Sequence, residues 1–210
     1  MKRIVALAAG AAFFLAGPAQ AQGPKPDLAK AQATAQQVCA ACHAADGNSP
    51  TPANPKIAGQ FPEYLYRQMA NFKGQGGKKP ERDNAIMAGM VAALSPEDMK
   101  NLADYYAGQK LKPAAAKDKK LAAEGQKLWR GGNSASGVAA CAGCHGPDGA
   151  GIPSQYPRIA GQYAEYVEAQ LKSFKAGTRA NDPNGMMRGV ASRMSDGEIK
   201  AVAEYAAGLR

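Results

Sequence analysis

Cys39-Ala-Ala-Cys42-His43 and a second copy, Cys141-Ala-Gly-Cys144-His145, together contain every cysteine and every histidine of the chain. Two cysteines separated by two residues and followed by a histidine are the attachment signature of c-type haem, in which both thiols bond the porphyrin edge and the imidazole binds the iron. One match to this pattern can arise by chance. Two matches that leave no Cys or His unused predict two covalently attached haems c, one for each copy.

Two other interpretations of the four cysteines are weaker. In an exported protein the cysteines could form two disulfides, but a structural disulfide does not need a histidine after it. Two Cys-x-x-Cys pairs could also supply a four-thiolate zinc site, which would leave both histidines without a role. Covalent haem is the interpretation that uses all of these side chains.

The first residues have the composition of a secretory signal peptide. Lys2 and Arg3 form a positive n-region, residues 4–16 an apolar h-region, and Ala19-Gln20-Ala21 a cleavage site of the A-x-A type. The apolar run is short and rich in Ala and Gly, unlike a transmembrane helix. We therefore predict a signal peptide over residues 1–21, and a periplasmic protein that is soluble or at most peripherally attached to a membrane.

The chain is basic, with 26 Lys and Arg against 17 Asp and Glu. Without Lys2 and Arg3 the formal charge is still +7, from 24 basic and 17 acidic residues. A basic surface speeds encounter with an acidic partner. We expect acidic docking surfaces on redox proteins as partners, and no nucleic acid, because the basic residues alternate with acidic ones in an exported chain.

The chain repeats itself at an offset of about one hundred residues. Pro55-Lys-Ile-Ala-Gly-Gln60 matches Pro157-Arg-Ile-Ala-Gly-Gln162, and Met87-Ala-Gly89 matches Met187-Arg-Gly189. Further matches pair Glu63-Tyr64, Gln68 and Phe72-Lys73 with Glu165-Tyr166, Gln170 and Phe174-Lys175. A period of this length indicates two duplicated domains. We place them at residues 22–112 and 113–210, joined by a polar, proline-containing linker at about 111–119.

Only helical patterns are visible in the two repeats, which predicts an all-α fold. Stretches rich in Ala, Gln and Lys precede the haem motifs, and apolar side chains recur at three- and four-residue spacing further on. The predicted helices cover residues 27–38, 64–72, 117–130 and 166–174. The last helix of each repeat begins at a capping box, Ser95 with Asp98 and Ser195 with Glu198, and ends near Gly108 and Gly208.

His43 and His145 are the predicted proximal iron ligands. Because no histidine is left over, the second axial ligand must be another residue type, and methionine is the usual one in electron-transfer cytochromes. Met87 and Met187 share a Met-x-Gly frame downstream of each histidine and are the predicted pair. The close competitors, which have no methionine counterpart in the other repeat, are Met90 and Met186.

An iron-bound imidazole needs an acceptor for its other N–H, which sets its tautomer and its basicity. The carbonyl oxygens of Pro55 and Pro157 are the predicted acceptors. Ile57 and Ile159, two residues further on, are predicted to pack against the porphyrins.

The order of helix, Cys-x-x-Cys-His, Pro-x-Ile-x-Gly, methionine segment and final helix resembles class I cytochromes c. The doubled arrangement is similar to the di-haem cytochromes c4 over essentially the whole chain from about Gly23 to Arg210. The resemblance implies two tandem cytochrome c-type domains, each wrapped around one haem c, with Met87 and Met187 as axial ligands. It also implies propionates near the domain interface, and electron carriage from a quinol-oxidising complex to a terminal oxidase.

One feature departs from the family, whose two lobes often differ in charge. Here residues 22–112 carry +3, from 11 basic and 8 acidic residues, and residues 113–210 carry +4, from 13 and 9. Docking of a partner to one lobe alone is therefore not predicted.

The preferred hypothesis is a monomeric electron carrier without substrate chemistry. The alternatives are an electron-feeding subunit of a periplasmic dehydrogenase, a di-haem peroxidase and a gas-binding haem sensor. A peroxidase or a sensor needs an open iron position, and a peroxidase also needs an acid–base residue beside it. With no spare histidine, only a carboxylate could take that role, and none stands out near either methionine segment.

Overall fold

The computed structural model describes residues 25–74 and 79–210, so the predicted signal peptide lies outside the described residues. Within these ranges the chain is helical, and its strand-like pairings are three isolated antiparallel bridges. Two similar sets of helices follow one another. The first set is α1 (Leu28–Thr34), α2 (Ala40–His43), α3 (Pro62–Lys73), α4 (Ala85–Val91) and α5 (Pro96–Ala107). The second set is α6 (Lys119–Gly131), α7 (Ala142–His145), α8 (Ala164–Lys175), α9 (Met186–Ala191) and α10 (Asp196–Gly208).

The approach to the haem motif differs between the two sets. After α1, the chain continues as a π-helix over Ala35–Cys39 and runs directly into α2. Helix α6 instead stops at Gly131, and residues 132–140 loop back before Cys141. This loop needs glycine at its start, because Gly132 has φ of 66° and a Cβ there would lie 2.3 Å from the Val138 carbonyl oxygen.

The last helices begin at the predicted capping boxes, both of which are present. The Ser95 and Ser195 hydroxyls accept from the backbone N–H groups of Asp98 and Glu198, whose carboxylates accept in return from the cap N–H groups. Helix α10 runs through Gly208 rather than ending before it, with Leu209 as its C-cap.

Each set of helices encloses its own apolar core. Helix α5 packs on α1 and α3, and α10 packs on α6 and α8, so the last helix of each set closes the core. The most deeply buried side chains of the first core are Ala31, Ala35, Val91, Met99, Leu102 and Ala103. Those of the second core are Trp129, Ala191, Ile199, Val202 and Ala206. Two separate cores are typical of two domains, named here the N-terminal and the C-terminal domain.

The segment between α5 and α6 forms backbone hydrogen bonds first with the N-terminal domain and then with the C-terminal domain. The Lys112 N–H donates to Asn48 Oδ1 at 2.6 Å, in the N-terminal domain. The Ala114 N–H donates to the Gly161 carbonyl at 2.8 Å, in the C-terminal domain. We retain the proposed domain boundary between residues 112 and 113, where the contacts change sides.

Candidate cofactor sites and the interface between them

The two histidines are held in the same way. His43 Nδ1 lies 2.9 Å from the Pro55 carbonyl oxygen, and His145 Nδ1 lies 3.0 Å from that of Pro157. Because a carbonyl can only accept, Nδ1 carries the proton and Nε2 keeps its lone pair for a metal. Burial lowers the pKa of both histidines, opposed in part by the proline carbonyls. Both rings are therefore neutral at pH 7, as a metal ligand must be.

The cysteines are placed as free thiols. All four lie within the described residues, and none forms a disulfide. Burial raises the pKa of the Cys39 thiol and raises that of Cys141 to about 11, so both stay protonated. Among the described residues no group of three or more His, Cys, Asp or Glu side chains could hold a metal ion. The structure thus lends no support to the disulfide and zinc interpretations.

The predicted methionines lie on short helices, not in loops. Met87 is on α4 and Met187 on α9, and each packs half-buried against the core of its own domain. The Asn84 side chain accepts from the Met87 N–H at 2.9 Å and so caps α4. The competing methionines are more exposed, 45 % for Met90 and 41 % for Met186.

All of the predicted site residues line one cavity of about 910 Å³ that extends through both domains. From the N-terminal domain they are Cys39, Cys42, His43, Pro55, Ile57 and Met87. From the C-terminal domain they are Cys141, Cys144, His145, Pro157, Ile159 and Met187. The cavity is at the upper end of the range for small-molecule sites. Each half holds one thiol pair, one neutral imidazole and three methionines, Met69, Met87 and Met90 in the first half and Met186, Met187 and Met194 in the second.

Sequence reasoning missed two arginines at the interface. Arg82 and Arg179 are paired by an antiparallel bridge between the domains, and each is more than nine-tenths buried. The Arg82 guanidinium lies 4.6 Å from the Phe72 ring centroid, and that of Arg179 lies 4.4 Å from the Phe174 centroid. In the sequence, each repeat has an arginine shortly before its methionine segment. The two arginines are 97 residues apart, which differs from the offset of the repeated motifs, so an alignment of the repeats does not pair them.

Both arginines donate to neutral acceptors from both domains. Arg82 donates to Gln68 and Gln170 at 2.8 and 2.9 Å, and to the Tyr166 hydroxyl. Arg179 donates to the same two glutamines at 3.1 and 2.9 Å, and to the hydroxyl of Tyr64. Among the described residues no carboxylate accepts from either guanidinium.

The charge of these two guanidinium groups indicates whether a haem fits the cavity. Burying a charge without a counter-charge is costly, and both arginines line the cavity. Arg158 Nε, on the same wall, is buried and has no acceptor among the described residues. A haem brings two carboxylates into its site, so the unpaired cationic groups, the thiol pairs and the imidazoles together fit this cofactor.

No helix among the described residues is both long and apolar enough to cross a membrane. The cytochrome c family model matches residues 20–110 and 122–209.

Individual relatives are similar over most of the chain. Cytochrome c4 of Thiocapsa roseopersicina is 46 % identical over 193 residues, which are 90 % of this chain and 97 % of that protein. The thiosulfate dehydrogenase electron acceptor of Thiomonas intermedia is 38 % identical and aligns over 99 % of this chain and 91 % of its own length.

A solved structure has the same architecture. The crystal structure of reduced recombinant cytochrome c4 from Pseudomonas stutzeri matches with a TM-score of 0.82 and 39 % identity, over 89 % of this chain and all of that one. These matches confirm the predicted all-α fold and the two predicted haems. The chain therefore belongs to the cytochrome c4 family: it is a di-haem electron-transfer protein and not an enzyme, with two tandem cytochrome c domains that each bind one haem c covalently.

Proposed function

We propose that each iron is bound by one histidine and one methionine, His43 with Met87 and His145 with Met187. The observation that carries the histidine part of this proposal is the fixed tautomer of each ring, whose Nδ1 faces a proline carbonyl while its other nitrogen is free to bind. The methionine part rests on the Met-x-Gly frame that Met87 and Met187 share in the two repeats. A bound haem supplies one-electron transfer at its iron. The protein's part would be to supply two strong ligands to each iron, one histidine and one methionine, so that no substrate has access.

The cysteines attach the cofactor and the apolar side chains exclude water from it. Cys39 and Cys42 bond the N-terminal haem through thioethers, and their counterparts, Cys141 and Cys144, bond the C-terminal one. Ile57 and Ile159 support the porphyrins from within the two cores, against which both isoleucines pack. A thioether ligand favours ferrous iron and so raises the reduction potential, which suits a carrier late in a respiratory chain.

The carrier takes electrons from a quinol-oxidising complex and passes them to a terminal oxidase in the periplasm, after removal of residues 1–21. Without residues 1–21 the chain has a net charge of +7, which favours acidic docking surfaces on both partners. A second donor is favoured by the Thiomonas relative, which is named an electron acceptor of thiosulfate dehydrogenase. A periplasmic dehydrogenase is therefore the alternative source of electrons.

The ligation is tested by absorption spectroscopy of the purified protein with and without carbon monoxide. Closed His/Met sites give a weak ferric band at the red end of the spectrum and little response to the gas. Met187→Ala should open the C-terminal iron to carbon monoxide and lower its potential, with the N-terminal centre unchanged, and Met87→Ala should do the reverse. Unaltered potentials and no gas binding in either variant would refute the assignment.

The electron donor is tested by stopped-flow reduction at low and high salt. Purified thiosulfate dehydrogenase and a quinol-oxidising complex are each mixed with the oxidised protein. The physiological donor should reduce it quickly, with a rate that falls as salt rises, because oppositely charged surfaces steer encounter. A rate that is slow and independent of salt with both donors would refute the proposed partners.

A further inference from the structure

The last residue of the repeated Pro-x-Ile-Ala-Gly-Gln segment reaches across the domain interface in both directions. Gln162 Oε1 accepts from the Lys56 N–H at 3.0 Å, and Gln162 Nε2 donates to the Lys56 carbonyl at 2.8 Å. Gln60 makes the same pair of bonds, at 3.0 and 2.8 Å, with the main chain of Arg158. Each glutamine thus contacts one residue of the opposite domain through both the oxygen and the nitrogen of its side-chain amide.

The peptide group that each glutamine contacts is the one that holds the opposite histidine. The Pro55 carbonyl and the Lys56 N–H belong to a single planar peptide unit. Its oxygen accepts from His43 Nδ1–H, and its N–H donates to Gln162. A continuous chain of hydrogen bonds therefore runs from the imidazole of one domain to the amide of the other.

The second chain has the same form. The peptide between Pro157 and Arg158 accepts from His145 Nδ1–H and donates to Gln60 Oε1. Each glutamine oxygen also accepts from the next residue of its own chain, Phe61 or Tyr163, at 3.0 Å. This local bond fixes the glutamine side chain before it crosses the interface.

We propose that Gln60 and Gln162 are positioning residues that act crosswise, each tuning the iron ligand of the other domain. A peptide that donates its N–H becomes a better acceptor at its carbonyl, because hydrogen bonds in a chain polarise one another. A better acceptor makes the imidazole more basic. A more basic ligand stabilises ferric iron, so each glutamine lowers the reduction potential of the opposite centre.

The two glutamine contacts across the interface differ in whether a neighbouring side chain adds a further contact. Tyr163, next to Gln162, donates its hydroxyl to the Ser49 carbonyl at 2.7 Å, and its ring lies 4.6 Å from the Lys56 ammonium. Its counterpart Phe61 has no hydroxyl. The N-terminal proline segment therefore has a second support across the interface, and loss of Gln162 should have the smaller effect.

The proposal rests on the proposed histidine ligation and is tested in the full-length holoprotein with Gln60→Leu and Gln162→Leu, which keep side-chain bulk and remove the bonds. The two centres are followed by potentiometric titration and by hyperfine-shifted proton NMR. Signals of the C-terminal haem are identified by their proximity to Trp129, whose ring centroid is 6.4 Å from that of His145.

Gln60→Leu should raise the potential of the C-terminal centre and shift its histidine signals, with the N-terminal centre unmoved. Gln162→Leu should do the same, less strongly, to the N-terminal centre. The matched control is Arg67→Gln, which removes a contact across the same interface, Nη2 to the Ser154 carbonyl at 3.2 Å, without touching either proline peptide. It should move neither set of histidine signals.

The crosswise role would be overturned if the potential and the histidine signals shifted only in the mutated domain, or shifted equally in both domains. It would also be overturned if they shifted in neither domain. If Gln60→Leu does not fold, Gln60→Glu decides the question, since its anionic carboxylate accepts more strongly from the Arg158 N–H and should lower the potential of the C-terminal centre instead of raising it. Its shift must again fall on the C-terminal centre. The absorption spectrum of the wild-type protein tests the His/Met ligation independently. Failure of the proposed ligation can therefore be distinguished from failure of the proposed role of Gln60 and Gln162.

Discussion

The two domains place one large aromatic side chain beside their Cys-x-x-Cys-His motifs, but they take it from different helices. In the N-terminal domain it is Tyr106 on the last helix, α5, which lies against Cys39 and is 3 % exposed. In the C-terminal domain it is Trp129 on the first helix, α6, which is 2 % exposed and lies against His145. The position that corresponds to Tyr106 is then the small residue Ala206, which is fully buried.

This exchange shows what duplication preserves. A core tolerates changes of side chain when the total volume and the apolar pattern are kept. The two domains share the same motifs and the same last helix, yet the buried aromatic side chain beside the motif comes from the last helix in one domain and from the first helix in the other. What is kept is the filled space beside the haem motif, not the residue that fills it.

The largest expected effect comes from emptying that space. Trp129→Ala should destabilise the C-terminal domain by about 3–5 kcal/mol, because it removes a buried aromatic side chain and leaves a cavity. Tyr106→Ala should cost the N-terminal domain a similar or slightly smaller amount. Denaturant unfolding followed by haem absorption and by NMR measures each domain separately.

A second substitution should compensate in part for the loss of Trp129. Ala206→Tyr in the Trp129→Ala background recreates the N-terminal arrangement and should recover part of the lost stability. If Trp129→Ala and Tyr106→Ala each cost less than 1 kcal/mol, the two residues do not fill equivalent space and the comparison fails.

The backbone after each histidine differs in strain. Ala44 and Gly146 occupy equivalent positions, with φ of 60° and ψ of 160° for Ala44, and 80° and 155° for Gly146. This region of backbone space is essentially restricted to glycine and costs other residues about 1–3 kcal/mol. The N-terminal domain therefore carries strain that the C-terminal domain avoids.

Exchanging the two residues should move the domain stabilities in opposite directions. Ala44→Gly should stabilise the N-terminal domain and Gly146→Ala should destabilise the C-terminal domain, each by about 1–3 kcal/mol. Thermal unfolding of the two single variants and of the double variant measures both changes. A loss of stability in Ala44→Gly would show that the alanine conformation is not strained.

The fold was predictable where signals are local. Periodic apolar residues predicted α3 and α8, which extend only one or two residues beyond the predicted ends, and the Ser95 and Ser195 capping boxes lie where the sequence predicts them. Helices α4 and α9 were missed because they have only seven and six residues, and each contains a glycine, which lowers helix propensity. The π-helix before Cys39 has no sequence signal of its own.

The site residues that occur in both repeats were predictable from the sequence, whereas the contacts that they make across the domain interface were not. The repeated Pro-x-Ile-Ala-Gly-Gln segment drew attention to Pro55 and Pro157, whose carbonyls lie beside the histidines. The same segment displayed Gln60 and Gln162, but nothing local shows what a side chain touches about one hundred residues away. The axial role of the methionines remains a prediction.

A smaller and symmetrical effect is expected at the capping boxes. Ser95→Ala and Ser195→Ala each remove a side-chain acceptor from the N-terminus of the last helix, which costs about 0.5–2 kcal/mol. Because both boxes are complete, the two costs should agree. Unfolding of the two variants under the same conditions measures them, and a twofold or larger difference would show that the caps are not equivalent.

The smallest effect separates the two roles that Tyr106 could have. Its hydroxyl is buried beside the Cys39 thiol with no hydrogen-bond partner of good geometry among the described residues, and burial raises its pKa well above the ordinary value. An unpaired buried hydroxyl is a cost, so Tyr106→Phe should leave stability unchanged or raise it by up to about 1 kcal/mol. The matched control is the preceding residue, Tyr105, whose hydroxyl donates to the Ala45 carbonyl at 3.1 Å. Tyr105→Phe should cost about 1 kcal/mol. If Tyr106→Phe costs as much, the hydroxyl has a partner in solution, and Tyr106 is more than the volume that Trp129 supplies in the other domain.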